Sequence, residues 1–192
     1  MKLGEISVIR IGLILARKKA NTKYEIQDTY KLITLKNIEE NGEFNKEPLE
    51  SFYSNDKLDR GYFTQEGDIL VRLSHPFTTV YIDKNKSGLL IPSYFAVIKI
   101  IDKNYIPEYI AWYLNSGKVK KELIRFQTGT SMTTTNKAIL NLINIKEIPI
   151  GEQKKIIKIQ ELYFKERELL FKLIEEKEKY YKVATSKLIK GE

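Results

Sequence analysis

The chain has 192 residues, enough for one domain plus an appendage, and is 42% hydrophobic and 30% charged, as expected of a globular protein with a core. It contains no cysteine, which excludes disulfides and thiolate metal sites. The formal net charge is +8, but residues 152–192 hold 11 Lys/Arg against 8 Asp/Glu and the remainder 22 against 17. Neither part is a polybasic tail, so charge alone fits nucleic acid and a merely lysine-rich composition equally well.

Glu5 and Arg10 interrupt the apolar start of the chain, so no signal peptide is expected there. No run of 18 apolar residues exists, so no membrane span is expected, and a cytoplasmic location is. The first ~100 residues read as β-rich. A strand is expected at 30–35, followed by a turn at Asn41-Gly42. Gly67-Asp68 is a second turn, leading into a strand at 69–73. Segments 80–82 and 89–91 flank a polar turn and predict a hairpin, and 95–101 predicts a buried strand.

The pattern then changes to helical. Pro107 suits a first helical turn, with Tyr109, Ile110, Tyr113 and Leu114 on one face and Gly117 as the expected stop. A second helix is expected over 118–126, on the spacing of Val119, Leu123 and Phe126. Residues 127–136 form a polar loop, and Thr135 is the expected cap of a short helix running to residue 142. Residues 145–150 read as a strand ending at Gly151.

No proline follows Pro149, and no glycine lies between Gly151 and Gly191. Apolar residues recur at steps of three and four along this stretch: Ile156, Ile159, Tyr163, Leu170, Leu173, Tyr180, Ala184 and Leu188. Roughly 39 helical residues make a rod of ~58 Å, longer than a domain of ~150 residues is wide. Such a stripe calls for a second helix, and Glu166 and Lys177 would set its register. Glu161–Lys165, Glu168–Lys172, Glu175–Lys179 and Glu178–Lys182 carry the favourable i,i+4 orientation. The competing reading is a solvated helix lying along its own domain. The fold expected is therefore α+β: a β-rich domain with packed helices over 1–150 and one long helix over 151–192.

The search for chemistry is largely negative. His75 is the single histidine and precedes a proline, a loop setting. Gly117-Lys118 is followed by Val119, so no phosphate-binding loop is present, and no glycine-rich dinucleotide loop occurs. No Pro-Asp nuclease start and no Asn/Asp-Pro-Pro-aromatic methyltransferase segment occurs. No catalytic residue, cofactor site or metal site is expected, and Asp68 reads as turn chemistry. Binding signals are stronger. Arg17, Lys18, Lys19 and Lys23 cluster beside Tyr24, against the alternative of a solvated loop. Arg60 and Arg72 flank strands and would face a groove or a surface ion pair. Arg125, with Gln127, Thr128, Thr130, Ser131, Thr133, Thr134, Asn136 and Lys137, joins cations to small amide and hydroxyl donors suited to phosphates and base edges.

In order and spacing the chain resembles the specificity (S) subunit of Type I restriction–modification systems. The matching pieces are Lys2-Leu3-Gly4-Glu5-Ile6 with Gly12, and Glu66-Gly67-Asp68-Ile69-Leu70-Val71-Arg72. Further along lie Pro107-Glu108-Tyr109-Ile110-Ala111-Trp112-Tyr113-Leu114-Asn115-Ser116, Gln127-Thr128-Gly129-Thr130, and Ile148-Pro149-Ile150-Gly151-Glu152-Gln153-Lys154. The resemblance implies a target recognition domain and a spacer helix that pairs antiparallel. It also implies a non-catalytic role: reading double-stranded DNA and docking methyltransferase (M) subunits and, through them, restriction (R) subunits. Family members usually carry two domains and two helices, and this chain has one of each. A second copy of the chain, related by a twofold, would complete the pair and read an inverted repeat. Two other readings stand beside this one: a coiled-coil scaffold whose basic charge is incidental, and a small nuclease.

Overall fold

The computed structural model describes residues 1–126 and 134–190, with only the backbone described at Lys190. The chain divides into two compact units, Met1–Gln153 and Lys154–Glu192.

Unit 1 begins with a short helix α1 (Leu3–Ile6), then β1 (Ser7–Ile11), β2 (Asp28–Leu32), β3 (Glu50–Ser54), β4 (Asp68–Arg72), β5 (Thr79–Tyr81) and β6 (Phe95–Ile100). Helices α2 (Pro107–Leu114), α3 (Gly117–Arg125) and α4 (Lys137–Leu142) follow. Four strands form an antiparallel sheet in the order β1-β6-β4-β5, while β2 and β3 form a separate antiparallel ribbon.

Register decides the two faces of the sheet. Leu70 lies opposite Val97 and Val80, so all three point to one side, with Ile33, Ile82, Leu89, Ile91 and Phe95. Ile69 lies opposite Ile98, which lies opposite Ile9, and these point to the other side. There α1 and α4 pack on β1, and α2 packs on β4 and β5. Central β6 is buried on both faces, which explains its unbroken apolar run Phe95-Ala96-Val97-Ile98. Gly12 has no room for a side chain, since an added Cβ would overlap the carbonyl groups of Ile91 and Pro92. Gly67, at φ +86°, supplies the left-handed turn that starts β4.

Several sequence-based expectations are corrected. Residues 89–91 do not pair with 80–82. Their backbone is divided among partners: Leu89 N–H donates to Thr64 Oγ1, Leu90 N–H to Lys31 O, and Ile91 N–H to Tyr62 O. Leu13 N–H donates to Ile91 O as well, and a segment shared among residues 13, 31 and 62–64 cannot form one ladder. Gly117 opens α3 rather than ending α2. That helix stops at Asn115, whose side chain hydrogen-bonds both backbone groups of Thr79 on β5 (2.9 and 2.6 Å). Ser116 then caps α3.

The α4 cap is Asn136, whose Oδ1 accepts from Ile139 N–H, while Thr135 is buried. Residues 145–150 form no strand. Ile145 N–H bonds Met1 O, Lys146 O accepts the Tyr109 hydroxyl, and Pro149 O accepts the first N–H groups of the next helix. That helix, α5 (Ile150–Lys190), has 41 residues, about 62 Å of rod at ~1.5 Å per residue. Its first turn belongs to unit 1, where Gln153 is fully buried. Gln153 accepts from Ile106 N–H and donates to Asn104 O and Ile148 O.

Along unit 2, Ile159, Tyr163, Leu170, Leu173, Tyr180 and Leu188 are each at least half exposed, and Ile156 and Ala184 are partly buried. Leu162, Leu169, Phe171, Ile174 and Tyr181 are also exposed, so the apolar stripe is broader than the eight positions read from the sequence. Glu168 pairs with Lys172 at 2.6 Å, while Lys179 turns to Glu176 rather than Glu175.

Candidate nucleic-acid interface

The cations read from the sequence fall into separate places. Lys18 and Lys19 run beside β3. Lys19 bridges Ser54, Ala20 N–H donates to Tyr53 O, and Asn55 N–H donates to Lys18 O. This segment widens the ribbon at its Asp28–Ser54 end. Lys23 and Tyr24 sit in a 3-10 turn just before β2, both exposed. Lys18 is partly occupied, because its ammonium pairs with Asp56 at 2.5 Å. Its hydrogen bond and charge hold the Asp56 carboxyl below its usual range.

Arg72, at the end of β4, donates through Nε to Ser74 Oγ (2.9 Å), and Ser74 bridges Thr134. Thr135 N–H donates to Leu73 O, and Leu73 N–H to Tyr94 O. The Tyr94 hydroxyl in turn donates to Ile33 O, just past β2. Burial pushes that hydroxyl's pKa up to about 12, with nearby Glu50 adding to the rise. A chain of hydrogen bonds thus links Arg72 and Thr134 to the ribbon's other end.

Arg60 is exposed in the 3-10 turn Arg60–Tyr62, with no ion-pair partner among the described residues. Arg125 ends α3, and Asn136 and Lys137 are exposed at the start of α4. Gln127, Thr128, Thr130, Ser131 and Thr133 lie outside the described residues.

Sequence reasoning missed two features. Strand β3 was not read at all, although Glu50-Ser51-Phe52-Tyr53-Ser54 alternates and its partner β2 alternates likewise. Phe52 and Leu32 are buried, while Thr29, Lys31, Ser51 and Tyr53 face out. The second is the Asp68 carboxylate. It was read as turn chemistry, yet it is 1% exposed and pairs with Arg10 at 3.0 Å. Desolvation raises its pKa, against the hydrogen bond from Gln65 N–H and the charges of Arg10 and Lys99. Arg10 also reaches the carbonyl groups of Gly61 and Phe63. This cluster ties β1 to β4 and to the 60–63 turn, which gives it a structural role. Among the described residues no group of three His, Cys, Asp or Glu is placed to hold a metal, and no helix is long and apolar enough to cross a membrane.

A small β-sheet domain with packed helices, followed by one long C-terminal helix, is a fold shared with part of solved Type I restriction–modification specificity subunits. The HsdS subunit from Thermoanaerobacter tengcongensis superposes with a TM-score of 0.63 at 18% identity, over 88% of this chain and 43% of that one. A chain from the structural study of complex assembly and conformational transition of the type I R-M system gives 0.57 at 14% identity, over 88% and 39%. The S subunit from M. genitalium gives 0.50 at 15% identity, over 88% and 41%. The chain thus spans about two fifths of the length of these structures. No family model matches the sequence, and no curated protein matches it.

Proposed function

We propose that this chain is a specificity subunit of a Type I restriction–modification system, a sequence-specific DNA reader that acts as a homodimer. One observation carries the reading. In a chain with this fold, α5 leaves an apolar stripe exposed along unit 2. Two copies packed antiparallel through Ile159, Tyr163, Leu170 and Leu173 would bury the stripe and present two like domains. Their half-sites would be inverted repeats, separated by near-whole turns of ~34 Å. In this reading the chain performs no chemistry and recruits methyltransferase subunits to the site. Lys19, Lys23, Arg60, Arg72 and Arg125 contribute phosphate contacts, and the 127–137 segment adds amide and hydroxyl groups.

The test combines sedimentation of the pure chain with selection from random duplexes in the presence of methyltransferase subunits from the same genome. A dimer that selects a split, palindromic motif is expected. A dimer that selects no sequence would leave a scaffold, and a monomer at tens of micromolar would remove the twofold reader.

A further inference from the structure

The β2–β3 ribbon has one face anchored and one face bare. Inward, Phe52 and Leu32 pack with Leu13, Leu58 and Leu90, and Tyr30 packs against Phe63 with ring centroids 5.0 Å apart. The Tyr30 hydroxyl donates to Asp28 and accepts from Leu58 N–H, so the ribbon is held firmly on the domain. Outward, Thr29 lies directly opposite Tyr53 and Lys31 directly opposite Ser51, all four exposed. The face thus carries three hydroxyls and one ammonium, and no aliphatic side chain.

Of the acids around it, two face a lysine and one is hydrogen-bonded. Asp28 accepts from the Tyr30 hydroxyl and Thr29 N–H, Asp56 pairs with Lys18, and Glu50 lies 4.0 Å from Lys36. Lys19 and Lys31 have no acidic partner among the described residues. The bare face therefore presents hydrogen-bonding groups together with Lys31, and Lys19 at its edge, neither held by an ion pair among the described residues.

We propose that this face reads base edges in the major groove of duplex DNA. The inference rests on the DNA-reading function proposed above. A major groove ~12 Å wide admits a two-stranded ribbon. Alternate residues on a strand stand ~6.6 Å apart, close to two base-pair steps of ~3.4 Å, so the four side chains span about three base pairs. Thr29, Ser51 and Tyr53 can each donate or accept at a base edge. Lys31 can donate to purine N7 and O6, and Lys19 at the ribbon edge can hold a phosphate.

The test is selection from random duplexes by the full chain with its methyltransferase subunits, comparing wild type with Thr29→Val/Ser51→Ala/Tyr53→Phe. These changes remove only hydroxyls from exposed positions and keep strand-forming residues at 29 and 53. Far-ultraviolet circular dichroism and thermal melts check the fold. Lys31→Ala, also exposed, is the independent second variant. The triple variant is expected to lose about tenfold or more in affinity for the wild-type motif, with less than about threefold change on unrelated duplex. Its selected motif should change over about three adjacent positions in each half-site, and Lys31→Ala should relax one of them.

An unchanged motif in both variants overturns the ribbon and leaves the DNA-reading function intact. A motif altered by Thr130→Ala/Ser131→Ala but not by the ribbon changes overturns it in favour of the loop. A wild type that selects no motif removes the proposed function, and the ribbon assignment with it.

Discussion

Asp68 and Gln153 show how single buried polar groups hold unit 1 together. Burial raises the Asp68 pKa, so its linkage favours the native state below the ordinary carboxylate range and is lost as pH rises through the raised value. At neutral pH the carboxylate is charged and buried, and Arg10 offsets that cost. Removing Arg10 raises the Asp68 pKa further. Arg10→Ala is therefore expected to destabilise the domain by about 2 kcal/mol near pH 7, and by less at an acidic pH low enough to protonate the carboxyl. Urea unfolding at the two pH values checks this, and a loss independent of pH would detach the effect from Asp68. Gln153 makes three hydrogen bonds to backbone groups at Asn104, Ile106 and Ile148. Gln153→Ala would strand these groups in a site closed to solvent and is expected to cost about 2–3 kcal/mol, read as a lower melting temperature. The sequence marked Gln153 only through the family resemblance. Nothing in its local pattern distinguishes a buried glutamine from the solvated polar residues around it.

At the scale of elements, α5 was the most legible and the short β segments the least. A helix of 41 residues is specified by local terms: no glycine or proline from 152 to 190, many strong helix formers, and Glu–Lys pairs such as Glu168–Lys172. Strand β3, by contrast, has five residues and exists only because β2 pairs with it. Segment 89–91 has the composition of a strand, but the backbone groups offered to it come from three different places. The stripe on α5 predicts a seam. Leu170→Asp with Leu173→Asp would place charges against the apolar residues of a partner helix, and the variant is expected to sediment as a monomer while the wild type sediments as a dimer. Both positions are at least half exposed in the single chain, so the double change should leave the melting of unit 1 unchanged. Unchanged dimerisation would exclude this face as the seam.

For the whole molecule, the proposed reader separates affinity from specificity. Lys18 pairs with Asp56, so Lys19 and Lys23 are the better phosphate contacts in that region. Lys19→Ala with Lys23→Ala is expected to weaken binding to all duplexes alike and to reduce the slope of log affinity against log salt by about 2 per domain, measured by titration across salt concentrations. An unchanged slope would place the phosphate contacts elsewhere. The sequence by itself determined the α+β class, the long terminal helix and its apolar stripe, because these depend on periodicity and on glycine and proline, which act within a few residues. Only the tertiary structure decided which polar residues are buried, which acids neutralise which lysines, and that residues 28–32 and 50–54 stand side by side with hydroxyls facing out. Those outcomes depend on pairing across 18 or more positions of chain, where the choice of partner is set by the packing of the whole domain and leaves no local mark.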